Sequence, residues 1–388
     1  MAVAASGRKP RIVHLTSVHH AFDNRIFEKE CVSLAEAGFD ISLVVPDAGT
    51  DRVAKGVKIL TVPLPRGRKE RFLKTTRAVI ARGLAEDADV YQFHDPELIL
   101  PALRLRAAGK PVVFDVHEDY YTSILDKTPY LPGAVSKKVA AWGYYGVERL
   151  TRRAFRTVIA ERYYARRFPE AVPVLNYPRL EQFAAVLAVL AERPSEPPAT
   201  PRLLYTGGLN MERGALTYAD LARTMDDAFV QAVGVTPVDL ARKMQERAGS
   251  GASRLEIVGI GEKLPFSRIL QAYREPWTCG LAVMPETSHY REKELTKFFE
   301  YMAAGLPILA SDFPVWKSLI EGHRVGLCVD PNSLEAVQDA VRWLAAHPDE
   351  ARAMGERGRA AVLSTFNWDK EAARLIGLMR ELLGERQP

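Results

Sequence analysis

Along its apolar positions the chain alternates short uninterrupted runs with amphipathic stretches. RIVHL (11–15) is a short apolar strand, the spacing over 24–37 predicts a helix closed by Gly38, and ISLVVP (41–46) is the next strand. Further runs at Val57–Val62, Val90–Phe93, Val112–Val116 and 157–160 read as strands, with helices between most of them. Continuous apolar strands alternating with helices predict a parallel sheet covered on both faces.

The rhythm breaks after NYPRL (176–180). An alanine-rich stretch follows, then ERPSEPPATP (192–201), with four prolines in ten residues, as in a linker. A second series then begins with RLLYTGG and a helix from about Gly214, followed by RLEIVG (254–259), CGLAVMP (279–285), LPILAS and VGLCVD (325–330). Helices over 333–346 and 369–383 close the chain. The expected fold is α/β, with two tandem Rossmann-like domains facing across a cleft at the carboxyl ends of their sheets. The boundaries read as 1–180 for the first domain, 181–201 for the linker and 202–368 for the second domain. The final helix, 369–388, is expected to pack back on the first.

One segment resists a purely structural reading. In EKELTKFFEYMAAGLPILAS (292–311) Phe298, Phe299, Met302 and Ala303 lie at helical spacing and Gly305 stops the helix, yet Glu300 sits among them and Glu292 eight positions earlier. If the helix starts near Thr296, its first N–H groups and Lys297 form a cationic tip suited to phosphate. Glu300 lies one turn further on the same face, where a carboxylate could accept hydrogen bonds from both hydroxyls of a ribose. The structural alternative is an i, i+3 Lys–Glu pair on a solvated face, worth only ~0.2–0.5 kcal/mol.

Composition narrows the classes. The 388 residues suit two domains, and 47% hydrophobic with 26% charged content is ordinary for a globular protein. No run of apolar residues is long enough to span a membrane, and the amino terminus lacks the apolar core of a signal peptide. Three scattered cysteines (Cys31, Cys279, Cys328) fit buried thiols of a reducing compartment, so a cytoplasmic location is expected. The net charge of +5 is uneven: residues 1–180 hold 29 basic against 20 acidic side chains (+9), which leaves 24 against 28 (−4) for the rest. The first half is therefore expected to meet something anionic.

Several chemistries are excluded. No GxGxxG follows the first strand, where the loop is TSVHHAFDNR, and there is no P-loop, HExxH or GxSxG. TGGLNMERG (206–214) and GIGEK (259–263) do place Gly207, Gly208, Gly259 and Gly261 after strands, where backbone can approach a phosphate closely. Arg213 adds a planar donor fork suited to a diphosphate. HHAFD (19–23) is too irregular for a metal set. Asp95-Pro96-Glu97 reads as a helix start, with Asp95 as its N-cap.

RIVHLTSVHHAFDNRIFEKECVSLAEAGFDISLVVP resembles the opening of family-4 glycosyltransferases of the GT-B fold. HDPEL (94–98) and FDVHEDY (114–120) resemble the following segments of a bacterial branch, and LYTGGLNMERG, LEIVGIGE and TKFFEYMAAGLPILASD its nucleotide-binding half. The likeness covers most of residues 11–345 in the right order. It implies transfer of a sugar from a nucleotide-diphosphate donor, with retention of configuration and without a resident metal. It also implies donor-site roles for Glu300 on the ribose and Glu292 on the sugar, with Glu294 as a competitor for the second role. Gly208 stands where many members carry an Arg and Arg213 where they carry a Lys, so Lys297 is the candidate replacement cation. His117, at the end of VVFDV, is expected beside the donor sugar; Asp23, Arg25 and His94 are candidate acceptor contacts, with helix capping the alternative for Asp23.

Developing negative charge on the leaving diphosphate makes Arg213, Lys297 and the helix N–H groups the expected catalytic stabilisers. The departing phosphate can take the acceptor's proton, so no separate base is required. RGRKERFLKTTRAVIAR (66–82) and KKVAAWGYYGVERLTRRAFR (137–156) join cationic to aromatic and apolar positions, which suits a lipid-linked acceptor or an anionic membrane surface at the inner face. A sugar-nucleotide epimerase of the same fold, or a weakly active partner subunit that binds nucleotide sugar, are the competing readings. No nucleic-acid-binding module is present.

Overall fold

The computed structural model describes residues 8–127, 133–192, 200–287 and 290–384. The chain forms two compact units, residues 1–176 with 368–388, and residues 177–367.

In the first unit the described strands are β1 (Arg11–Leu15), β2 (Asp40–Pro46), β3 (Arg52–Ala54), β4 (Val57–Val62), β5 (Val90–Phe93), β6 (Val112–Val116), β7 (Arg156–Ile159) and β8 (Val172–Pro173). They form one sheet in the order β3-β4-β2-β1-β5-β6-β7-β8, parallel except for β3 against β4. Strands run outward from β1 in one direction and from β5 in the other, so the switch point lies between β1 and β5. Alternate residues face opposite layers. Val13, Leu15, Tyr91, Phe93 and Phe114 join one core, and Ile12, Ile41, Leu43, Val90 and Val113 the other.

The second core also holds the helical segment from Ile26 to Glu36 and the helix Trp368–Leu382 at the end of the chain. Trp368 is buried, its indole N–H donating to Ser33 Oγ at 2.8 Å, and Glu371 accepts from the Leu175 backbone N–H at 2.9 Å.

In the second unit β9 (Arg202–Thr206), β10 (Phe229–Thr236), β11 (Leu255–Ile260), β12 (Cys279–Ala282), β13 (Ile308–Ser311) and β14 (Gly326–Val329) form a parallel sheet in the order β11-β10-β9-β12-β13-β14. Its switch point lies between β9 and β12. β10 has no counterpart in the sequence reading because Gln231 and Gly234 interrupt its apolar run. Gly234 is required by contact: a Cβ there would lie 2.1 Å from the Gly207 carbonyl oxygen.

Residues 181–192, expected within a linker, are helical: a turn at Leu180–Phe183 leads into the helix Ala184–Glu192. Buried Phe183 stacks near Tyr273. The apolar alanine-rich run folds because it has a core to join, and the unit begins at 177. The proline-rich part, residues 193–199, lies outside the described residues.

Candidate functional site

Each unit gathers polar chemistry at its own switch point. In the first, three polar residues break otherwise apolar central strands: His14 in β1, Gln92 in β5 and Asp115 in β6. His14 and Gln92 are register partners. The helical segment from Ile26 covers them and brings in Glu30, with Arg25 at its start.

Asp115 is the centre. Its carboxylate accepts two hydrogen bonds from Arg25, at 2.8 and 3.1 Å, and lies 2.5 Å from His117 Nε2 and 3.1 Å from His94 Nδ1. Burial works to raise its pKa, but Arg25 and His117 hold it well below the usual range. Glu30, 3.1 Å from Arg25, goes the other way: burial and the charge of Asp115 push it well above its usual value. One guanidinium between two buried carboxylates keeps one ionised and leaves the other its proton.

An ionised carboxylate can only accept, which fixes the imidazole protons. His117 carries its proton on Nε2 and His94 on Nδ1, both donating to Asp115. His94 Nε2 then accepts from His14 Nδ1 at 3.0 Å. Burial lowers His94 to about 4 and His14 well below its ordinary value, so both stay neutral. His117 is the one of the three with some exposure.

A second network borders the first. Asp95 accepts from Thr16 Oγ1 at 2.7 Å and the Ser17 N–H at 2.6 Å, and pairs with His19 Nδ1 at 3.2 Å. Burial opposes its ionisation, yet His19 and these donors lower it to about 2. Asp95 makes no side-chain bond to the helix it precedes, so its cap role is replaced by tying down the loop after β1. The His19 ring lies 5.2 Å from that of His117.

The acceptor-side expectations are corrected here. Arg25 and His94 are buried and committed to Asp115, so neither is presented outward. Asp23 Oδ1 accepts from the N–H groups of Arg25 and Ile26, the capping alternative. Among the described residues two donor sets are close enough for a metal: His14, Glu30 and His94, and His94, Asp115 and His117. In the second set the donor atoms already bond one another and Arg25 sits on the same carboxylate, an arrangement better suited to hydrogen-bonded imidazoles than to a dication.

In the second unit the loop after β9 and the helix Thr296–Ala303, reached from β12, flank the switch point. The helix begins at Thr296 with no side-chain cap on its first N–H groups. It is anchored by Tyr301, whose hydroxyl accepts from the Thr206 N–H at 3.1 Å and lies 3.1 Å from the Leu281 carbonyl. Gly280 leaves room for that ring, since a Cβ there would meet it at 2.6 Å.

Lys297 does not extend into solvent. Its Nζ lies 3.4 Å from the centroid of the Tyr205 ring, shielded and without a hydrogen bond among the described residues. Burial, then the neighbouring charge of Arg213, lowers its pKa well below the usual lysine value; Glu300 acts in the opposite sense. This replaces the solvated Lys–Glu pair. Arg213 donates to Tyr290 Oη at 2.9 Å and to the Gly208 carbonyl at 2.7 Å, and Glu300 accepts from Tyr273 Oη at 3.0 Å. Gly207, at positive φ, starts the same loop. Gly259 lies near the end of β11 and Gly261 directly follows it, two strands from β9. Glu292 and Glu294 are both partly buried on the segment leading into the helix.

The sequence reading missed Asp115, Glu30, Gln92, His14 and His19, and the tyrosines 205, 273 and 290. Polar residues inside apolar strands were the available signal for three of them; the tyrosines carry no comparable signal in the sequence.

The glycosyl transferase 4-like domain family matches residues 24–198, and a glycosyl transferase-like family matches residues 240–377. The chain belongs to the GT-B glycosyltransferases. Sucrose-phosphate synthase from Thermosynechococcus elongatus superposes with a TM-score of 0.76 at 17% identity, over 97% of this chain and all of that one. Anabaena HepE, solved with UDP, superposes at 0.67 with 11% identity, over 96% of this chain and 100% of its own. Both likenesses are of fold. In sequence, 83 residues are 37% identical to a GDP-mannose-dependent α-(1-6)-phosphatidylinositol monomannoside mannosyltransferase of Mycobacterium tuberculosis. That match spans 21% of this chain and 22% of the mannosyltransferase. Glycosyltransferase domains in both halves give the epimerase reading no support.

Proposed function

We propose that this protein transfers a sugar from a nucleotide-diphosphate donor, with retention, to a glycan, lipid-linked or small-molecule acceptor. The observation that carries the reading is Lys297: a shielded amine without a hydrogen bond among the described residues, beside Arg213 at an uncapped helix tip. A buried amine of this kind is costly without an anion. A diphosphate supplies that anion, accepting from Arg213, Lys297 and the first helix N–H groups. Glu300, one turn on, then takes the ribose hydroxyls. Glu292 or Glu294 contacts the sugar.

Cleavage of the sugar–phosphate bond leaves its electron pair on the diphosphate, which Arg213 and Lys297 stabilise. The acceptor hydroxyl attacks the same face, and its proton passes to the departing phosphate oxygen. This route uses no resident metal. The basic first unit favours work at an anionic membrane surface.

UDP-, GDP- and dTDP-sugars form the test panel, since HepE is solved with UDP and the mycobacterial relative depends on GDP-mannose. Transfer or slow hydrolysis of one donor, lost in Glu300→Ala, is expected. No turnover of any donor together with no nucleotide binding would overturn the reading, and an inverted product would remove retention.

A further inference from the structure

The helix Gly133–Ala154 carries an exposed face that the transferase reading does not use. Val135, Val139, Trp142, Gly146, Arg149 and Arg153 recur at alternating spacings of four and three, so they form one stripe. Its first half is apolar: Val135, Val139 and Trp142 are 76%, 67% and 71% exposed. Its second half is cationic and opens on a cavity of about 340 Å³ lined by Arg149, Arg152, Arg153 and Arg156 over Phe155 and Phe168. Arg156 begins β7, so the cavity lies at the amino end of the sheet, away from His117 at the carboxyl end.

Internal partners account for only two of the four arginines. Arg152 donates to the Arg167 carbonyl at 2.8 Å, and Arg156 pairs with exposed Glu381 at 3.2 Å. Arg149 and Arg153 make no hydrogen bond or ion pair among the described residues. The single carboxylate lining the cavity is Glu170. Arginines in the last turn do complement the helix dipole. That favours Arg152 and Arg153 but not four guanidiniums around one cavity, where like charges a turn apart repel.

We propose that this cavity seats the phosphate of an anionic phospholipid headgroup, with the apolar half of the same helix lying in the bilayer interface. The guanidinium forks match phosphate oxygens in charge and geometry. Trp142 is the interfacial anchor, and Val135 and Val139 bury their side chains at the acyl boundary. The inference deepens the membrane-surface part of the proposed function and rests on it, but it needs no turnover.

The test uses the full chain and sedimentation with vesicles of phosphatidylcholine, with and without phosphatidylglycerol. Binding is expected only with phosphatidylglycerol. Arg149→Gln/Arg153→Gln should lower the partition coefficient roughly thirtyfold, the equivalent of ~1 kcal/mol per arginine near an anionic surface. Trp142→Ala should weaken binding in the same assay and abolish the blue shift of fluorescence on adding vesicles. Arg242→Gln/Arg342→Gln removes the same charge from exposed positions of the other unit and should change binding less than about threefold. Equal losses in the two double variants would overturn the cavity as the seat, as would full retention in the first. Failure of the wild type to bind phosphatidylglycerol vesicles would overturn the membrane reading itself. Binding of inorganic phosphate at these arginines without vesicle binding would assign the cavity to a free anion instead. Transferase activity is measured separately, so its absence would not alter these outcomes.

Discussion

Replacing Lys297 with methionine should make the ligand-free protein more stable and its nucleotide binding weaker. Lysine is protonated in the unfolded chain up to about pH 10.4, whereas burial beside Arg213 lowers its pKa in the folded state. The unfolded state therefore binds more protons, and stability rises with pH between the lowered folded pKa and the unfolded one. At neutral pH the lysine is a penalty. An unmade hydrogen bond at a buried polar group costs ~1–3 kcal/mol, and the contact with the Tyr205 ring returns up to about 2. Methionine keeps the apolar contact without the charge, so a net gain on the order of 1 kcal/mol is expected, or roughly 2–4 °C in Tm for a unit of this size. In contrast, a charged hydrogen bond to diphosphate is worth ~1.5–3 kcal/mol, so Kd for nucleoside diphosphates should rise about tenfold to a hundredfold. Differential scanning fluorimetry with and without UDP, GDP and dTDP reads both. A lower Tm with an unchanged nucleotide response would refute the argument, because it would make Lys297 a structural cation.

Asp115→Asn removes the ionised partner of the buried Arg25, leaving only Glu30 beside it, and should cost up to ~3–5 kcal/mol in chemical denaturation; a loss below about 1 kcal/mol would refute its central place. His94, neutral when folded with a pKa of about 4, opposes protonation that the unfolded chain accepts below 6.5. Its contribution to stability is thus complete above pH 6.5 and shrinks by about 3 kcal/mol on acidification to pH 4. Glu30, raised when folded, contributes in the opposite sense, so the measurement is the difference in pH slope between wild type and His94→Gln; no difference refutes the assignment. Gly234→Ala places a methyl 2.1 Å from the Gly207 carbonyl and should destabilise by ~1–3 kcal/mol, seen as a lowered denaturation midpoint. Trp368→Ala should cost ~3–5 kcal/mol by emptying the core site that holds the last helix; an unchanged midpoint would show that this helix adds nothing to the fold.

The periodicity of the sequence determined the two parallel-sheet units, because a strand buried on both faces must be apolar throughout. It determined the helix start at Thr296 and the placing of Lys297 and Glu300 one turn apart, both local consequences of helical spacing. It could not determine what those side chains meet. Lys297 reads as a free cation until the fold lays Tyr205 beneath it. Arg25 and His94 read as outward contacts until the register of β1, β5 and β6 draws them around Asp115. That carboxylate is two residues from His117, and only the pairing of three strands with a covering helix turns it into the group that sets three imidazole protons. Burial and charge partners come from residues distant in the chain, so the ionisation of this site belongs to the tertiary structure.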